Sequence, residues 1–113
     1  MNTANRGEIW MINLNHAKGR EQSGIRPALI ISDDFFNNSA AELVIVLPIT
    51  SKKKGIPLHV QLSSKETGLK VESFVKCEDV RSISKERLMS YVGSISPATL
   101  EEVEYKIKLL LGL

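Results

Sequence analysis

The sequence predicts a mainly β domain, a small curled antiparallel β-barrel with short helical turns and a C-terminal α-helix. Three observations predict it. Short apolar runs recur between turns rich in glycine, proline, asparagine and aspartate, as in small all-β proteins. One run, Leu43-Val44-Ile45-Val46-Leu47, is apolar throughout, so it reads as a strand covered on both faces. Only the last segment carries apolar residues at helical spacing behind a serine–proline start. No glycine-rich strand–turn–helix unit is present, which argues against a dinucleotide-binding or P-loop fold.

The chain has 113 residues, enough to close a single core, and shows no repeat, linker or low-complexity tract, so residues 1–113 read as one domain. Hydrophobic residues make up 42% and charged residues 25%, the balance of a soluble globular protein. No apolar run approaches the roughly 18 residues of a membrane span, and no signal peptide heads the chain. The single cysteine, Cys77, permits no internal disulfide, so a cytoplasmic setting is expected. A net charge of +2 is mild, and contact with nucleic acid would need a local basic patch.

In chain order, residues 7–14 read as a first strand, and residues 15–24 as a long polar loop anchored between strands. A second strand spans 26–32, and Asp33 caps a turn or a single helical turn. The third strand spans 42–49, with Pro48 near its end suiting departure from the sheet. A basic loop at 50–57 leads into a short alternating strand at 58–62 and a turn at 64–68. Residues 71–77 form another strand, with Phe74, Lys76 and Glu78 expected on one face and Val75 and Cys77 on the other. A helical turn at 84–87 precedes a returning strand at 88–95. Ser96 caps the final helix, Pro97 opens it, Gly112 ends it, and Leu100, Val103, Ile107, Leu110 and Leu111 share one stripe. Trp10 is expected in the core or in dimer packing, and Phe35 and Phe36 in the core rather than anchoring a loop or leaving an apolar patch for a partner.

The chemistry-bearing residues gather at strand ends. Arg26 sits at a strand mouth, where a guanidinium serves either to grip an anion or simply to pair with Glu21. The histidines, His16 and His59, have no i+4 partner or ligand cluster, so no metal site is expected and both read as surface residues. No nucleophile elbow and no Cys–His pairing is visible, and Cys77 reads as a small buried hydrophobe. Arginine, threonine, carboxylates and lysines are a poor inventory for ester hydrolysis. They suffice for cutting RNA, whose ribose 2′-hydroxyl is the nucleophile and leaves the protein to supply a base, a donor and cations. Arg26 fits the cation role and Thr50 the donor, while Lys52, Lys53 and Lys54 make a basic rim that either tracks a nucleic-acid backbone or is only a solvated surface.

Gly7-Glu8-Ile9-Trp10 after Arg6, Glu21-Gln22-x-Gly24-x-Arg26-Pro27 before an apolar strand, Pro48-Ile49-Thr50, and residues 75–83 follow one another in order. In these the chain resembles, over nearly its whole length, the MazF/PemK-like (Kid-like) endoribonuclease toxins of type II toxin–antitoxin systems. The resemblance implies an SH3-like barrel and a homodimer that cleaves single-stranded RNA at short motifs without metal or cofactor. The products it implies are a 2′,3′-cyclic phosphate, or its hydrolysis product, and a 5′-hydroxyl. It also implies a cognate antitoxin that blocks the RNA groove, with operator DNA reached only through that antitoxin.

The family's catalytic arginine and threonine fall on Arg26 and Thr50. Arg20 stands where some members have a histidine, and Lys76-Cys77-Glu78 where some have Arg-Cys-Asp, so Lys76 holds phosphate as a point charge. Glu21 and Glu78 are the candidate proton acceptors, unless Glu21 only orients Arg26 and Glu78 only pairs with Lys76 or Arg81. Arg20, Gln22, Ser51, Lys52, Lys53, Lys54 and Lys76 are the expected RNA contacts. Two other readings compete: a barrel that binds RNA without cutting it, and a same-fold toxin acting on a protein such as gyrase.

Overall fold

The structure, a computed structural model, describes residues 3–15, 18–19 and 24–113. Seven strands form one antiparallel sheet: β1 (Glu8–Asn13), β2 (Ile25–Ile30), β3 (Leu43–Thr50), β4 (His59–Leu62), β5 (Ser73–Lys76), β6 (Arg81–Ser84) and β7 (Leu88–Ser94). Between them lie two helical turns, α1 (Asp34–Asn37) and α2 (Ser64–Thr67), and the chain ends in helix α3 (Pro97–Leu111). The strand order is β4-β5-β3-β2-β1-β7, with β6 also on β3. β3 is the hub: its first half pairs with β6, its last two residues with β5, and its middle with β2.

β3 is buried on both sides, as an unbroken apolar run requires. On one side Val44 and Val46 join Trp10, Ile12, Ala28 and Ile30; on the other Leu47 and Ile49 join Ile9, Leu29, Val60, Val75 and Val103 of α3. The Ser96 side chain accepts from the Thr99 N–H at 3.2 Å, and Gly112 closes α3 in the left-handed conformation at φ 73°. Asp33 caps α1 by accepting from the Phe35 N–H at 2.8 Å.

The curled sheet is not sealed by hydrogen bonds, since its path begins at β4 and ends at β7 without joining them. α2, which follows β4, lies in that gap against β7. The approach is backbone to backbone: a Cβ at Gly93 would stand 2.0 Å from the Thr67 carbonyl oxygen, and one at Gly68 2.7 Å from that of Val92.

Several expectations change. β6 is a strand the sequence reading passed over. Phe35 is 87% exposed rather than core. The stripe on α3 buries Val103 fully, but Leu110 and Leu111 are exposed because the helix outruns the sheet beneath it. β5 stops at Lys76, and Cys77–Asp79 turn as a 3-10 helix, so Glu78 does not continue the strand's alternation. Trp10 is buried as expected and meets Tyr91 edge to face, with ring centroids 6.1 Å apart. No helix among the described residues is long and apolar enough to cross a membrane.

Candidate active site

Arg26 and Thr50 are brought together by strand register. β2 and β3 pair as Ala28↔Pro48 and Ile30↔Val46, so Arg26 and Thr50, each two residues beyond the Ala28↔Pro48 pair, fall on the same side of the pleat. Both then share the face of Ala28 and Ile30, away from α3. β4 and β5 supply the facing wall: His59 and Lys76 are direct partners across that pair, while Val60 and Val75 turn to the helix side. Lys52 and Lys54 come from the loop joining β3 to β4. Together Arg26, Thr50, Lys52, Lys54, His59 and Lys76 line a cavity of about 120 Å³.

The charge is one-sided. Four cationic side chains line this cavity, and no carboxylate among the described residues does. A chain with a net charge of only +2 thus concentrates positive potential at one mouth, as an anion site requires. Thr50 is 6% exposed, and its Oγ1 accepts from the Lys52 N–H at 3.2 Å, which leaves the hydroxyl proton to be donated. β1 and β2 are tied at the root of their connection, where the Leu14 N–H donates to the Gly24 carbonyl at 2.8 Å. Arg87 reinforces that root by donating to the carbonyls of Asn13 and Asn15 at 2.8 and 3.2 Å.

Of the expected site residues, Arg26, Thr50, Lys52, Lys54 and Lys76 meet here. Ser51 and Lys53 are exposed on the same loop and do not line the cavity. Arg20, Glu21 and Gln22 lie outside the described residues, as does His16. Glu78 is not among the lining groups and pairs with neither Lys76 nor Arg81. Asp79 takes those two cations, at 3.9 and 2.6 Å, while Glu78 Oε2 lies 2.9 Å from His59 Nε2. Cys77 is fully buried, and its thiol is pushed up to about 12, by desolvation first and the neighbouring Glu78 carboxylate second, so it stays protonated. No group of three or more His, Cys, Asp or Glu side chains among the described residues is placed to hold a metal ion.

His59 corrects the sequence reading. Its side chain is 4% exposed, not a surface group, and it lines the cavity beside Arg26 and Thr50. The available signal was parity: Val60 and Leu62 are core, which sends His59 and Gln61 to the opposite face of β4.

The comparisons agree with this architecture. The family model for the PemK-like, MazF-like toxin of type II toxin–antitoxin systems matches residues 5–111. The endoribonuclease MazF9 of Mycobacterium tuberculosis is 40% identical over 113 residues, covering 96% of each chain. The crystal structure of MazF from Deinococcus radiodurans matches all of both chains with a TM-score of 0.88 at 30% identity. A MazE–MazF crystal structure from the same organism matches 100% of this chain and 99% of that one, with a TM-score of 0.82 at 29% identity.

Proposed function

Because the chain belongs to the PemK-like, MazF-like toxin family of type II toxin–antitoxin systems, we propose that it is a toxin endoribonuclease and that the cavity at Arg26 and Thr50 is where it cuts. The carrying observation is the convergence of those two strand ends on one cationic pocket. The substrate is single-stranded RNA, cleaved at short sequence motifs. The ribose 2′-hydroxyl attacks the neighbouring phosphorus, so neither metal nor cofactor is needed. A 2′,3′-cyclic phosphate and a 5′-hydroxyl result.

Arg26 holds the charge that develops on the phosphorane oxygens, and Thr50 donates its hydroxyl proton in a hydrogen bond to one of them. Lys52, Lys54 and Lys76 draw in the backbone and neutralise it. Glu21 orients Arg26, and Arg20, Gln22, Ser51 and Lys53 extend the RNA-contacting surface beyond the pocket. The toxin works in the cytoplasm as a homodimer. A cognate antitoxin covers the groove, as the solved MazE–MazF pairing of the relative suggests, and operator DNA is met only through that antitoxin.

The test is incubation of the purified chain with a long single-stranded RNA in EDTA, beside an RNA whose cut site lacks the 2′-hydroxyl. Cutting of the first and sparing of the second is the expected result. Equal cleavage of both would sink the mechanism. Binding without cleavage would leave only an RNA-binding barrel, and indifference to RNA would point to a protein target.

A further inference from the structure

Transesterification needs a group to take the 2′-hydroxyl proton, and the cavity as lined offers few. Arg26, Lys52, Lys54 and Lys76 are cationic donors, and Thr50 is a weakly basic alcohol. His59 is the one lining side chain among the described residues whose neutral form presents a basic lone pair. Its surroundings decide which nitrogen carries that pair. Nε2 lies 2.9 Å from the Glu78 carboxylate, an acceptor when ionised, so Nε2 bears the hydrogen. Nδ1 is then the lone-pair nitrogen, and it is buried without a hydrogen-bond partner. A buried acceptor left unsatisfied is costly, and the protein retains one on a ring that lines the reaction pocket. With under 1 Å² of that atom exposed, a ligand hydroxyl satisfies it only after the ring or its neighbours in the pocket shift.

We infer that His59 is a catalytic residue of this site: its Nδ1 accepts the ribose 2′-hydroxyl proton while Glu78, bonded to Nε2, is a positioning residue that holds the ring and its tautomer. This rests on the ribonuclease reading above and assigns its missing base. The proton passes from the 2′-oxygen to Nδ1 as that oxygen bonds to phosphorus. The bond from phosphorus to the 5′-oxygen breaks, and the leaving oxygen takes a proton from one of the pocket's ammonium groups. Water then removes the proton from the imidazolium and restores the ammonium, so the chain ends as it began. The sequence-level candidate for base, Glu78, thereby acts through His59.

The charged groups around the ring come from every side. Lys76 is on β5, Arg26 on β2, Lys52 and Lys54 on the loop, and Glu78 on the 3-10 turn, where α3 adds Glu102 and Lys106 near Cys77. The acid side of the pH–rate profile therefore needs the histidine variant as its reference.

The experiment measures kcat, KM and the pH profile of cleavage for the full chain, His59→Gln, Glu78→Gln and Arg26→Ala. His59→Gln is expected to lower kcat about 10²- to 10⁴-fold with KM little changed and to lose the acid limb of the profile. Glu78→Gln keeps the hydrogen bond but loses the carboxylate charge, so its kcat falls less than that of His59→Gln while KM stays near wild type. Should His59→Gln fail to fold, the fall in kcat at unchanged KM for Glu78→Gln carries the test alone, and a Glu78→Gln chain with wild-type kcat overturns the inference. A histidine variant with wild-type kcat, or one changed only in KM, overturns the inference while leaving the ribonuclease reading intact. A wild-type chain that never cleaves RNA, with Arg26→Ala no different, sinks that reading and this one with it.

Discussion

The two faces of β3 do different work. Toward α3, Leu47 and Ile49 are packed among apolar side chains. On the other face, one residue past Ile49, Thr50 looks into a pocket lined by four cations and a histidine. The backbone is equally regular at both positions, and only the side of the pleat differs. A sheet this small thus keeps its chemistry apart from its stability by alternation rather than by a separate domain. At this end of β3, substitutions toward α3 should cost stability and those at Thr50 should cost rate, while Val44 and Val46, further back on Thr50's face, are core.

The largest effect expected is on the helix side. Leu47→Ala should destabilise the fold by about 2–5 kcal/mol, read as a lowered urea midpoint, with surviving folded molecules still cutting RNA at the usual rate. Arg26→Ala sharpens the contrast: cleavage falls about 10²- to 10³-fold, near 2.7–4 kcal/mol of transition-state stabilisation, while the urea midpoint moves far less than for Leu47→Ala. If the two variants lost stability alike, the division between faces would be broken. Ser96→Ala removes the cap of α3 and should cost about 1 kcal/mol of stability with cleavage unchanged. Smallest is a comparison within one loop. Lys54→Ala, in the pocket, should lower the salt dependence of RNA binding by about one unit of slope and slow cleavage, and Lys53→Ala, outside it, should lower the slope less and leave kcat alone.

What was legible in the sequence was whatever a local pattern can carry. The caps of α3 are written in Ser96, Pro97 and Gly112, and the double burial of β3 in its unbroken apolar run. Arg26 and Thr50 were found because each sits at the end of an apolar strand in a recognisable string. The misses depend on partners distant in sequence. His59 looked like one residue of an exposed alternation, and only its pairing with Lys76 and the reach of Glu78 show that it is enclosed. β6 is mostly polar and survives as a strand because it lines up along β3, from Leu43↔Ser84 to Val46↔Arg81. Glu78 was misplaced by extending strand alternation through a turn. The exposed end of α3 reflects how far the sheet extends, which no helical stripe encodes.

The contact between Gly68 and Gly93 has a consequence for the pocket. It sets the end of α2, the turn that follows β4, backbone to backbone against β7. His59 begins that same short strand, so the imidazole inherits its address from two positions that carry only hydrogen. Enlarging either one would act as a wedge driven in at the other end of that strand and turn, shifting the ring without altering any residue that lines the cavity.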